Sequence, residues 1–169
     1  MQIIKYCMLF CVFILSSLIG NYIAKGYTYR VQELEEMKNA LNIFKTKIKF
    51  TYAPIPEIFE EIAKNSTENI SKLFLYAKEK MRDNTANIAW EEAVENTKNN
   101  LKEEDKQTLK TLSKLLGMTD TEGQISQIEI TESFLEQQIK IAQEEKNKNE
   151  RLYRKLGTTI GLAIVIVLI

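Results

Sequence analysis

Histidine is absent from the 169 residues of this chain. That removes the commonest general base, the commonest metal ligand and the side chain that titrates near neutrality. Cysteine is almost as scarce, since Cys7 and Cys11 are the whole supply, and both stand in an apolar run. Two thiols without histidine make no zinc site and no disulfide framework, so they read as small apolar side chains. Six glycines and two prolines leave no glycine-rich phosphate loop, no G-x-G-x-x-G turn and no nucleophile in a recognisable elbow. The carboxylates are numerous but spread along helix-patterned surface. The expectation is a protein that is not an enzyme, with no catalytic residues, no metal, no cofactor and no small-molecule substrate. An excess of basic charge is missing as well. The 23 Lys and Arg match 23 Asp and Glu, without the basic stripe of a nucleic-acid binder.

What the chain does have is two apolar segments. Ile3 to Ala24 reads IIKYCMLFCVFILSSLIGNYIA, interrupted only by Lys5. As a helix it spans about 33 Å, enough for a bilayer core. A cleaved signal would want small residues three and one positions before the cut, but a cut after Ala24 or Gly20 puts Tyr22 or Leu18 at the third position. Residues 1–25 are therefore expected to be an uncleaved transmembrane anchor. Near the other end, LGTTIGLAIVIVLI (156–169) reaches about 21 Å, or about 27 Å from Leu152 if Arg154 and Lys155 snorkel. It reads as a short C-terminal transmembrane helix, in which Gly157 and Gly161 form a G-x-x-x-G spacing suited to close helix packing. Lys25, Arg30, Arg151, Arg154 and Lys155 flank the inner ends of these segments, against Lys5 outside. That bias puts residues 26–155 in the cytoplasm and both ends across the membrane.

Between the anchors the periodicity is helical throughout. Val31, Leu34, Met37, Leu41, Phe44 and Ile48 form one apolar stripe on a helix over about Tyr29 to Tyr52. Both prolines then fall in FTYAPIPEIFEEIA. Residues before proline leave the helical region, whereas proline suits a helix's first turn. Pro54 and Pro56 therefore mark a structural turn, with a new helix starting at Pro56. Further stripes run through Ile70 to Met81, through Ile88 to Val94 behind a cap at Thr85 or Asn87, and through Leu101 to Leu116. The last should end at Gly117, a left-handed cap position. Asp120 and Thr121 offer N-caps for a long final helix, with Gln124 completing a capping box. Its stripe of Ile125, Ile128, Leu135, Ile139 and Ala142 gives way to QEEKNKNER (143–151), which has no apolar residue and reads as a solvated polar stalk. Asn65-Ser66-Thr67 and Asn69-Ile70-Ser71 match the glycosylation pattern by chance in a cytoplasmic segment. The fold class expected is all-α, a compact bundle of about six helices whose last member continues into the membrane.

The order of features resembles the stage III sporulation protein AB family of endospore-forming bacteria. The pieces that carry the likeness are LEEMKNALNIFKTKIKF, APIPEIFEEIA, NIAWEEAVEN, LSKLLGMTDTEGQISQIEITESFLEQQI and ERLYRKLGTTIGLAIVIVL, nearly the whole chain from Leu34. The most specific is Leu116-Gly117-Met118-Thr119-Asp120. Where the family often continues Asp-Arg-Glu-Asp-Gln, this chain has Asp120-Thr121-Glu122-Gly123-Gln124 and loses a charge pair. The resemblance implies a non-enzymatic part of the envelope-spanning channel joining mother cell and forespore. Its domain would be similar to the cytoplasmic six-helix unit of type II secretion and type IV pilus platform proteins. Other membrane subunits, membrane lipid and the sporulation ATPase are the partners implied. A stand-alone membrane-tethered signalling or scaffold protein is the alternative, which a polar break at Gln143 disfavours because a dimerising rod keeps its apolar seam.

Overall fold

The computed structural model describes residues 2–51 and 53–168, with side chains from residue 4 onward. Six α-helices and a short 3₁₀ segment make up the described residues, with no strand among them. They are α1 (Gln2–Thr51), α2 (Ile55–Lys64), α3 (Glu68–Lys80), α4 (Ala86–Asn96), α5 (Glu103–Lys110), the 3₁₀ turn Thr111–Lys114 and α6 (Thr121–Leu168). The apolar N-terminal segment and the first amphipathic helix are one continuous helix rather than two. Gly26 lies inside it with open space where a side chain would be, and a lone glycine costs a helix only about 1 kcal/mol. Tyr52, where that helix was expected to end, lies outside the described residues, as do Met1 and Ile169.

The chain divides into two compact units, residues 32–140 and a pair formed by α1 up to Val31 with α6 from Ile141. In the first, Leu34, Met37, Leu41 and Phe44 of α1 are fully enclosed. Ile58, Phe59 and Ile62 of α2, Leu73 and Phe74 of α3, and Trp90 of α4 join them. At the centre Phe59 meets Phe44, Phe74 and Trp90 at ring separations of 5.2, 5.0 and 5.6 Å, tilted or edge-on. Such geometries suit the ring quadrupoles. The Trp90 indole N–H donates to the Leu109 carbonyl at 2.8 Å, so the largest core side chain is enclosed without an orphaned donor. Ile128 and Leu135 of α6 are buried as their stripe required.

The fifth helix is shorter than its leucine spacing suggests. It begins at Glu103, where Asp105 accepts the Lys102 backbone N–H at 2.8 Å. At Thr111 it tightens into the 3₁₀ turn, which still buries Leu112, and Leu116 beyond it is buried too. Leu101 is buried from outside any helix.

Candidate functional site

Two kinds of surface come forward: the seam of the helix pair and the polar ties and exposed apolar stripe of residues 32–140. In the pair, Gly20 and Gly157 bring the backbones together. A Cβ on Gly20 would lie 2.7 Å from the Gly157 Cα, and one on Gly157 would lie 2.8 Å from the Gly20 Cα. Neither position admits alanine without separating the helices. The Ser16 hydroxyl donates to the Gly157 carbonyl at 2.8 Å, and a Cβ at Gly161 would sit 3.1 Å from that of Ser16. The G-x-x-x-G face therefore lies against Phe13, Ser16 and Gly20 of the same chain. Towards the charged end Tyr27 and Tyr153 stack at 5.9 Å.

The polar run 143–151 differs from its expected role. Arg30, one of the flanking cations, is 3% exposed and reaches Glu145 at 2.6 Å, so it also ties α1 to α6. Thr28 donates to Glu150 at 3.4 Å, and Glu145, Lys146, Asn149 and Glu150 are half-buried. The run is thus not solvated on every side. Charge-assisted bonds to α1 replace the apolar contacts it lacks. Lys25, Arg151, Arg154 and Lys155 are exposed.

The turn residues sit as follows. Pro54 is the N-cap of α2, extended at φ −60° and ψ 142°, and its carbonyl accepts the N–H groups of Glu57 and Ile58. The helix starts at Ile55, one residue before the expected Pro56, which occupies the second helical position where no donor is missed. Gly117 has φ +72°, with the Ala86 Cβ 3.1 Å from where its own would be. Asp120 caps α6 by accepting the Gly123 N–H at 2.9 Å. Thr121 is the helix's first residue instead of a second cap. Gln124 does not close a capping box, because its side chain donates to the Thr119 carbonyl at 3.0 Å.

Two features of residues 32–140 escaped the sequence reading. Glu33, expected on a solvated face, is 5% exposed. It accepts the Asn69 side chain at 2.6 Å, the Asn100 side chain at 2.6 Å and the Asn100 backbone N–H at 2.7 Å. One carboxylate thereby fastens α1 to the start of α3 and to the loop after α4. The signal was present: Arg30 stands four residues before Leu34 and Glu33 four before Met37, both in phase with the buried stripe. The second feature is an exposed apolar row on α6, Ile130 and Phe134, one helical turn apart on the side away from Ile128 and Leu135. The units also differ in charge. Residues 32–140 hold 15 basic and 20 acidic side chains, and the remainder holds 8 and 3.

The family model for stage III sporulation protein AB matches residues 5–169. Stage III sporulation protein AB of Bacillus subtilis (strain 168) is 26% identical over 153 residues, which cover 88% of this chain and 90% of that protein. The solved structure of stage III sporulation protein AB (SpoIIIAB) superimposes with a TM-score of 0.64 at 23% identity. It covers 70% of this chain and 96% of that one, a likeness of fold.

Proposed function

The chain belongs to the stage III sporulation protein AB family, and from that premise we propose that it is a non-enzymatic structural component of the channel between mother cell and forespore. In this reading residues 1–25 and 156–169 are membrane helices, and residues 26–155 form a cytoplasmic platform, similar to those of type II secretion, that docks the sporulation ATPase. The membrane is the mother-cell membrane around the forespore.

The observation that carries the reading is the backbone contact of Gly20 with Gly157. The N-terminal helix is long and apolar enough to cross a membrane, and α6 runs beside it with Ile160, Leu162, Ile166 and Val167 exposed. Apolar helices that meet through glycines and keep their large side chains outward suit lipid, where closeness rather than burial drives association. Exposed Lys25, Arg151, Arg154 and Lys155 favour a cytoplasmic domain. Against a free-standing coiled-coil tether, the inner face of 143–151 is occupied by α1 of its own chain. The exposed Ile130–Phe134 row is a candidate contact for the other subunits.

The test is purification of the tagged full chain from sporulating cells in mild detergent. The platform reading expects the other membrane subunits of the channel and the ATPase to come with it. A lone dimer, with no further subunit after cross-linking, overturns it.

A further inference from the structure

The charged end of the helix pair has a property that topology alone does not use. Five cations, Lys146, Lys148, Arg151, Arg154 and Lys155, fall within ten residues of α6. Of the three acids near this stretch, Glu144 is exposed at the outer end of the run, and the other two are already engaged. Glu145 is taken by buried Arg30 at 2.6 Å, and Glu150 receives the Thr28 hydroxyl and Arg154. Among the described residues Lys148, Arg151 and Lys155 make no ion pair, and all three are exposed. They recur at steps of three and four, so they form one row about 10 Å long on α6.

The neighbours of that row give its depth. Leu152 and Leu156 are exposed to one side of the cations, and beyond Thr159 the helix is apolar to Leu168. Tyr22 and Tyr29 are exposed on α1, and Tyr27 stacks on Tyr153. Tyrosines with apolar bodies and polar tips collect at the level of lipid headgroups. Lys146, Asn147, Glu150, Arg151 and Arg154 line a shallow open depression of about 430 Å³ beside the row, room for a phosphate-bearing headgroup, and the row itself runs on along α6 into exposed Leu162 and Ile166.

We propose that Lys148, Arg151 and Lys155, with Arg154 beside them on the edge of the depression, bind the phosphates of anionic lipid headgroups and hold a shell of acidic lipid around the base of the helix pair. This rests on the two-span reading above. A lipid phosphate fits better than a soluble anion because the row continues into exposed aliphatic surface, which a soluble anion does not use.

The experiment uses the full chain with Cys7 and Cys11 changed to alanine, reconstituted in phosphatidylcholine vesicles. Electron paramagnetic resonance compares how strongly the protein immobilises spin-labelled phosphatidylglycerol and spin-labelled phosphatidylcholine. The expected result is a preference of about fivefold for the anionic lipid, the size of one cation's attraction to an acidic leaflet. The preference disappears in about 1 M salt, where charges are screened within about 3 Å. It also disappears on replacing all four side chains by glutamine, and it survives Lys5→Gln. Equal immobilisation of both lipids by the unaltered chain at low salt, or a preference that persists in the fourfold variant, overturns the proposal. A Thr159→Cys version labelled by a water-soluble maleimide separates the two readings. If that cysteine is protected and no preference appears, only the lipid row fails. If it is labelled in intact vesicles, the two-span reading itself fails.

Discussion

Residues 32–140 close around a cluster of four aromatic rings, whereas the pair of helix ends meets through two glycines and a serine. The first arrangement is what water rewards. Large apolar side chains leave solvent at about 25 cal/mol for each Å², and bulk at the centre is an advantage. The second suits surroundings as apolar as the side chains themselves. There the gain comes from backbone approach, so the contact wants the smallest residues and turns the large ones outward. Charge divides the same way, with a net −5 on residues 32–140 and +5 on the rest. A chain that is neutral as a whole is thus two oppositely charged parts, and its overall balance hides both.

That contrast makes separable demands. Trp90→Ala carries the largest expected effect, a loss of about 3–5 kcal/mol from the emptied core and the abandoned Leu109 carbonyl, read by urea unfolding. It should leave the helix pair intact. A Ser16→Cys, Gly161→Cys pair without Cys7 and Cys11 should oxidise as fully with Trp90→Ala as without it, because the two Cβ positions, 3.1 Å apart, reach the disulfide range once the helices give by a few tenths of an ångström. A cross-link lost together with the core would break the comparison. Next comes Glu33→Ala, at about 2–3 kcal/mol, since it strands the Asn100 N–H and two amide side chains. Gly20→Val reverses the pattern. It should cost the pair about 1–3 kcal/mol of steric strain and suppress the cross-link, while the urea midpoint of the domain stays put.

Smaller still is Gly117→Ala, at about 1–2 kcal/mol for a left-handed residue given a Cβ, visible as a shift in the domain's melting temperature. The last prediction concerns pH. Glu60 is held at about 2, chiefly by Lys78 and then Lys64, and Lys110 and Lys38 hold Glu95 and Glu136 below the usual carboxylate range. Folded values below the ordinary 4.5 mean that these carboxylates stabilise the domain fully above that pH and lose their effect as pH falls towards 2. Glu95 and Glu136 are exposed and Glu60 is half-exposed, so the change is small. The urea midpoint of the unaltered chain should fall slightly more over that window than that of Glu60→Gln, and added salt should shrink the difference.

The helical class, the order of elements and the proline turn were legible because each is written locally. Ile58, Phe59 and Ile62 mark a buried face within two turns, and Pro54 is excluded from a helix interior. What stayed hidden was pairing over distance. Nothing near Arg30 announces Glu145, 115 residues away, and nothing near Glu33 announces Asn69 or Asn100. A charged residue in phase with an apolar stripe was the one available clue. For the same reason 143–151 read as a free rod: its partners Thr28 and Arg30 lie at the other end of the sequence. The α6 row of Ile130 and Phe134 was passed over because a stripe on the opposite side had already accounted for that helix.

The central claim is that both apolar segments cross one bilayer and hold the acidic domain on its cytoplasmic side. Single cysteines introduced by Gln2→Cys, Asn99→Cys and Leu168→Cys, in a chain lacking Cys7 and Cys11, test it directly in intact non-sporulating cells made to express the chain, whose only membrane faces the medium, treated with a membrane-impermeant maleimide. The account predicts labelling at the two ends and protection at Asn99→Cys until the membrane is opened. Labelling at Asn99→Cys, or protection of one end alone before permeabilisation, would contradict it.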